Sequence, residues 1–433
     1  MQNRLIILFS ILLFSLSYTT NGQKLVNTPY ARFNLGAIEP AGSFKSLGMG
    51  GIGMGLRDNS SMFINNPASY SSIDTNSFVF DFGLDASLNV LTDGSARYTS
   101  DDINFDHLIM GFPITKGWGV AVGIVPLTSG YYKLYDEVLK NDPEYDPITG
   151  PSFSYHSGEG GFNNFFIGTG VNIFKNLSVG VNMRVLFGMI NRSYLVNFSD
   201  YYNVFNNSAT EKMQIGGINF DYGIQYSAPL KNNYFFNAGA SITTAKNYNT
   251  DYELLTTRFT AYGNRDTVSY VADNVTPTYI PGTYRIGFAF GKKNKFSAGF
   301  DFNSTKWSAS ILPGIPGYAA DTRSYLFGVE LIPDKYSNYS FMKRLEYRIG
   351  GHIEDNYVII DGAQLKEYGA SFGVGIPMSR TLTKSNSLSR TNFFFDWTKK
   401  YGPSSSNLPT ENYYTIGISL NFYDFWFVKR KYD

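Results

Sequence analysis

The sequence predicts an all-β protein: a transmembrane antiparallel β-barrel of about 14 strands with an N-terminal hatch inside the lumen. Three observations lead there. Segments of strict apolar–polar alternation recur along the chain, aromatic residues make up 17% and glycine 43 of 433 residues, and cysteine is absent. Charged residues, at 16%, fall below the usual share of about 25%, and glycine exceeds its usual share of about 7%. With neither disulfides nor thiolate metal ligands, a large exported chain holds together through hydrogen bonding and packing alone. A formal net charge of +1 offers no field for nucleic acid.

Taken in order, residues 1–22 read as a signal peptide: Arg4, then the apolar run Leu5 to Leu16, then small and polar residues up to Gly22. The run is too short for a membrane helix, which needs roughly 18 apolar residues, and no later segment approaches that length. Residues 23–76 precede the first strand and contain GMGGIGMGLRDNSSMFINNPASYSSID, from Gly48 to Asp74. Glycine there permits tight backbone packing, and Asn66-Pro67 marks a sharp turn. A barrel of this width leaves a lumen that side chains alone do not fill, so the stretch reads as a plug. Its apolar residues Phe44, Leu47, Met49, Ile52, Met54, Met62, Phe63 and Ile64 weigh against a disordered leader.

The strands follow over residues 77–424. Leu177 to Phe187 alternates without a break, and the pattern recurs in Phe78 to Ala86, Trp118 to Ile124, Ile218 to Tyr226, Tyr284 to Phe290, Phe296 to Asn303, Tyr325 to Leu331, Leu345 to Ile353, Tyr368 to Ile376 and Tyr414 to Phe422. Weaker copies begin near Phe105, Phe165, Phe236 and Phe393. Period two alone suits a soluble sandwich equally well. The connections decide: they alternate between short, lysine-bearing turns such as Thr115-Lys116-Gly117 and long polar loops such as Tyr132 to Gly161, Ile190 to Met213 and Thr243 to Gly282. That parity belongs to a barrel with periplasmic turns and extracellular loops. Asp81, Arg184, Asp221, Arg285, Asp301, Glu330, Glu346 and Arg348 all fall on the polar, lumen side of their strands. Trp118, Trp397, Tyr413, Tyr414, Phe422 and Tyr423 are candidates for the interfacial aromatic girdle. Residues 425–433 form a basic periplasmic tail.

The run SLGMGGIGMGLRDNSSMFINNPASY followed by SFVFDFGLDA resembles the hatch and first strand of the outer-membrane long-chain fatty-acid transporter family. The matching positions are Gly50, Gly51, Asp58, Asn66, Pro67 and Ala68. KGWGVAVGIVPLTSGYY, Lys116 to Tyr132, resembles that family's third strand, and PGTYRIGFAFG a later one. The resemblance implies passive uptake of hydrophobic small molecules through a hatch-gated lumen with a wall gap beside strand three. Proline cannot donate to a ladder, so Pro126 to Gly130 marks either a lateral gate or the point at which strand three leaves the membrane. The many lumen charges and the tail depart from the family. They keep open an alternative, a non-transporting accessory subunit of an outer-membrane protein export or assembly complex, like the shuttle barrel of type IX secretion. The expected surroundings are the outer membrane of a diderm bacterium and its lipid, with a hydrophobic ligand or envelope protein partners.

Enzyme chemistry and cofactors are not expected. Of His107, His156 and His352, His156 has Ser157 and Glu159 close in sequence, but neighbours along a strand point apart and make no triad. The glycines lack the Gly-Lys-Ser/Thr ending of a phosphate loop. The acidic loop Tyr135 to Gly150 does not space its carboxylates as a calcium loop does.

Overall fold

The computed structural model describes residues 28–425 except 95, 199–203, 261–262, 314–318 and 379–387; the signal peptide expected over residues 1–22 and all of the expected tail but Phe425 lie outside these. Fourteen strands form one closed antiparallel barrel: β1 Ser77–Asp93, β2 Ala96–Thr115, β3 Trp118–Ser129 continued by Tyr132–Val138, β4 Ser152–Phe174, β5 Leu177–Phe198, β6 Asn206–Pro229, β7 Tyr234–Thr243 continued by Lys246–Phe259, β8 Arg265–Ile280 continued by Thr283–Lys292, β9 Phe296–Thr305, β10 Thr322–Leu331, β11 Glu346–Ile360, β12 Ala363–Pro377, β13 Arg390–Tyr401 and β14 Thr410–Phe425. Closure comes from β14 on β1, from Thr410↔Thr92 to Phe425↔Ser77.

The wall is apolar outside and polar inside, as lipid on one face and a filled lumen on the other demand. On β10, Tyr325, Phe327, Val329 and Leu331 are exposed while Ser324, Leu326 and Glu330 are buried. On β8, Tyr284, Ile286, Phe288 and Phe290 face out. Asp81, Asp221, Asp301, Glu330, Glu346 and Arg348 are buried inside.

Two expectations need correction. The long polar connections are largely not loops: β4, β5 and β6 run for 23, 22 and 24 residues, more than twice the roughly 9–11 that cross a bilayer. Above the membrane both faces of a paired strand meet water, so the alternation fades although the ladder continues. Tyr413 and Tyr423 are also not girdle residues. Because Tyr414 and Phe422 face out, period two turns their neighbours inward, and Tyr423 is fully buried with its hydroxyl on Asp74 Oδ2 at 2.9 Å.

The N-terminal segment, residues 28–76, packs against the inner face of the wall. It contains 3-10 turns at Pro29–Arg32 and Pro67–Ser72, a two-residue strand Ala37–Ile38 and a one-turn helix α1, Phe44–Leu47. Met62, Ile64, Tyr70 and Ile73 share a buried cluster with Val79, Ile109, Ala121, Val125, Phe166 and Tyr423 of the wall. Met49, Ile52, Leu56 and Phe63 share another with Ala289 and Leu326, and Phe44 and Leu47 a third with Phe394. Each such side chain removed from water stabilises the seat by roughly 1.5–3 kcal/mol.

Candidate functional site

The lumen between this segment and the wall is the site to build. Its first feature is backbone on backbone. Gly50 and Gly51 adopt φ of +70° and +86°, a region that side chains disfavour. A Cβ on Gly50 would lie 2.5 Å from the Phe327 carbonyl oxygen and 2.6 Å from that of Gly351. The wall answers with its own glycines: a Cβ on Gly328 would lie 2.7 Å from the Met49 carbonyl carbon. The stripped backbones let two stretches of the chain touch where a methyl group would not fit.

The second is the Asn66-Pro67-Ala68 turn. Asn66 is fully buried and caps the 3-10 turn: its Oδ1 accepts from Ala68 N at 3.2 Å, while its Nδ2 donates to the carbonyls of Met54 at 3.1 Å and Ile224 at 3.2 Å. Pro67 is received by another wall glycine, since a Cβ on Gly223 would sit 2.8 Å from its Cδ. Asn66→Ala removes a cap, about 1 kcal/mol, and strands buried carbonyls, about 1–3 kcal/mol. We expect the melting temperature in detergent to fall accordingly; an unchanged melting curve would mean that the turn has no structural role.

Third, six charged groups meet at the base of the segment. Lys45 Nζ lies 2.5 Å from Asp58 Oδ2 and 3.5 Å from Glu330 Oε2; Arg390 reaches Asp58 at 3.6 Å and Glu346 at 3.1 Å; Arg348 holds Glu330 at 2.8 Å and also bonds Glu346. Three cations face three carboxylates, and the segment supplies one of each. Burial alone would raise the Asp58 carboxyl, but Lys45 and Arg390 outweigh it and hold the group well below the carboxylate range. Burial likewise opposes the Lys45 ammonium, yet Asp58 and Glu330 raise it above its ordinary value.

Arg57, beside Asp58 in sequence, does something else. It donates to Ser178 Oγ, Gln225 Oε1, Ser71 Oγ and Asn172 Oδ1, all neutral acceptors, and burial pushes its guanidinium down to about 10.

Fourth is strand β3. Its ladder with β2 ends at Leu108↔Ile124, and a register shift follows between Pro126 and Thr128 on the β4 side. Beyond Ile124 the place of β2 is taken by the protein's own N-terminal strand: Ala37 pairs with Ser129 and Ile38 with Thr128, and Glu39 N donates to the Leu127 carbonyl at 2.9 Å. Gly130 N bonds back to the Gly160 carbonyl at 2.9 Å. A cavity of about 370 Å³ lies here, between Pro126, Asn104 and Glu39. It shares Asp85, Asp106, Val125 and Pro126 with a larger cavity of about 450 Å³ in the outer half of the lumen. Eight carboxylates line the larger one, among them Glu39, Asp85, Asp106, Glu354, Glu367 and Asp396, against the cations Arg184, Arg285 and Lys400. Burial pushes Glu39 up to about 7, against the pull of Lys400.

Each histidine is held by neighbouring side chains. His107 is enclosed between Asp81, at 3.3 Å, and Asp106, with Phe44 edge-on at 5.2 Å; His156 stands against Tyr194; His352 bonds Thr398 at 3.0 Å. In the acidic loop, Asp142 and Asp146 accept from Leu139 N and Ile148 N, which is turn capping. Sequence reasoning did not single out Lys45, Arg390 or the Ala37–Ile38 strand. A lysine between the apolar Phe44 and Leu47 was the available signal.

Comparison with known proteins places the architecture. The family model described as BamG matches residues 1–433, while no curated protein matches in sequence. Among solved structures, the CymD monoaromatic hydrocarbon channel aligns with TM-score 0.57 at 14% identity, covering 90% of this chain and 98% of that one. The P. putida toluene transporter TodX aligns with TM-score 0.57 at 13% identity, covering 89% and 99%. A Pseudomonas aeruginosa FadL homologue aligns with TM-score 0.53 at 10% identity, covering 90% and 99%. At identities this low the likeness shows a shared fold alone.

Proposed function

We propose that this chain, which belongs to the BamG family and shares its fold with monoaromatic hydrocarbon channels, is a non-transporting accessory subunit of an outer-membrane protein assembly or export complex. The observation that carries this is the chemistry of the lumen: eight carboxylates line the cavity into which the β2–β3 gap leads. An apolar solute crossing there would have to strip water from those carboxylates, several kcal/mol for each group without a partner. The N-terminal segment is also tied down by paired charges and by wall glycines, which suits a permanent filling better than a moving door.

A second reading, passive uptake of a hydrophobic small molecule, is favoured by one feature: the ladder between β2 and β3 stops at Ile124 and a cavity lies behind it. On that reading Gly50, Gly51, Asp58, Asn66, Pro67 and Ala68 shape a gate, and Pro126 and Gly130 border its opening.

The two readings part on one experiment. Ala37 and Ser129 are directly paired across the gap, and the chain has no cysteine, so Ala37→Cys with Ser129→Cys can be oxidised to lock the N-terminal strand onto β3. An accessory subunit keeps its full set of copurifying envelope proteins when locked and carries no stoichiometric hydrophobic molecule by mass spectrometry. Loss of hydrocarbon or fatty-acid uptake on locking, restored by reductant, would overturn the proposal in favour of the second reading.

A further inference from the structure

We propose that the turn between β10 and β11, residues 332–345, is the docking knob for an acidic periplasmic protein domain that carries an apolar slot. Among the described connections on this side of the barrel, this longer one is built rather than merely tight. Asp334 N donates to the Lys343 carbonyl at 2.7 Å, Ser337 N to the Asp334 carbonyl at 3.2 Å, and Tyr347 Oη to the Met342 carbonyl at 3.0 Å. The neighbouring turn braces it: Ile332 N donates to the Lys295 carbonyl and Lys295 Nζ to the Pro333 carbonyl, both at 2.7 Å.

This rigid scaffold holds out side chains that a soluble surface normally hides. Tyr336 is 50% exposed, Phe341 48%, Met342 60% and Tyr339 fully exposed. Aromatic residues and methionine mark the energetic centres of protein interfaces, and clustered exposed apolar groups signal an interaction site. The position argues for protein rather than lipid. Lys335, from the same turn, reaches Asn294 at 3.1 Å and lies within electrostatic range of Asp58, Glu346 and Arg390 at the base of the lumen. The turn therefore folds across the barrel mouth instead of splaying against the outer, lipid-facing wall. The charge around it selects the partner. Lys293, Lys295 and Lys343 are exposed beside the knob, so the face that seats it should be rimmed by carboxylates.

This inference rests on the accessory-subunit reading in requiring a protein partner, and its test separates the two. In intact cells, Tyr339 is replaced by a photoreactive benzophenone analogue of phenylalanine, with the same replacement at lipid-facing Ile286 as control. We expect a discrete crosslink from position 339, absent from 286, to a protein with a periplasmic domain that also copurifies with the unmodified barrel. Lys293→Glu with Lys343→Glu should weaken that complex at least tenfold, and raised salt should weaken the unmodified complex too, while the barrel melts unchanged. Crosslinks to phospholipid alone would overturn the inference. So would copurifying partners that position 339 never reaches, although the accessory-subunit reading would then stand. A barrel that carries a hydrophobic ligand and no protein partner would remove both.

Discussion

Asp58→Ala should release the N-terminal segment from a barrel that is otherwise intact. The substitution leaves Lys45, Arg348 and Arg390 facing only Glu330 and Glu346 in a largely buried site. Removing one partner from a buried ion cluster costs about 3–5 kcal/mol, because the stranded charge keeps its desolvation penalty. The expected signature is rapid proteolysis within residues 28–76 while the wall keeps its heat-modifiable migration on gels. Lys45→Met with Asp58→Leu removes one charge of each sign and should recover most of the protection. If the single variant stayed fully protected, the cluster would not be what seats the segment. The pH dependence follows in sign. Asp58 is held below its usual value, so its contribution is present above the unfolded value of about 4 and fades only as pH falls through its lower folded value. Lys45 is raised, so its contribution is present below about 10.4 and fades only as pH rises through its higher folded value. Between about pH 5 and 9 the contribution of this ion cluster should not change.

Gly50→Ala should be nearly as damaging, and by a different route. An L-residue at φ +70° costs about 1–2 kcal/mol, and forcing a methyl group into packed surroundings adds about 1–3 kcal/mol; here the obstacles are backbone carbonyls that cannot swing away. Gly53→Ala is the matched control. Its Cβ would find Asn65 Cβ at 3.5 Å, an ordinary contact, so its effect should stay within about 0.5 kcal/mol. Comparable losses in the two variants, measured by thermal unfolding in detergent, would show that the wall does not constrain the segment at Gly50.

The strands were legible because lipid imposes a rule on every second residue. Leu177 to Phe187 announces its outer face without a break, and all the strand segments read from alternation lie in the wall, including the weak copies near Phe105 and Phe393. The same rule has no hold where water lies on both sides, so the extended parts of β4, β5 and β6 read as loops. The lumen charges could be placed on the inner face but not paired. Glu346 and Arg390 belong to strands that are not neighbours in the ladder, and Lys45 reaches Glu330 across some 285 positions of sequence. The glycine-rich run signalled close packing without saying against what; its partners, such as Gly328 and Gly223, lie scattered over strands whose curvature alone brings them to the same segment.

The segment that fills the lumen comes first in the chain, and the seam that encloses it joins the first barrel strand to the last. Met49, Met54 and Pro67 each rest on glycines of the wall, so the contacts between filling and wall run around much of the circumference. The seam of β14 on β1 runs from Thr410↔Thr92 to Phe425↔Ser77. We expect the wall to be wrapped around residues 28–76 while the sheet is still open, with this seam made last. The segment is then a mandrel for the growing sheet, and a variant that weakens its grip should lower the yield of closed barrels during insertion as well as the stability of those that form.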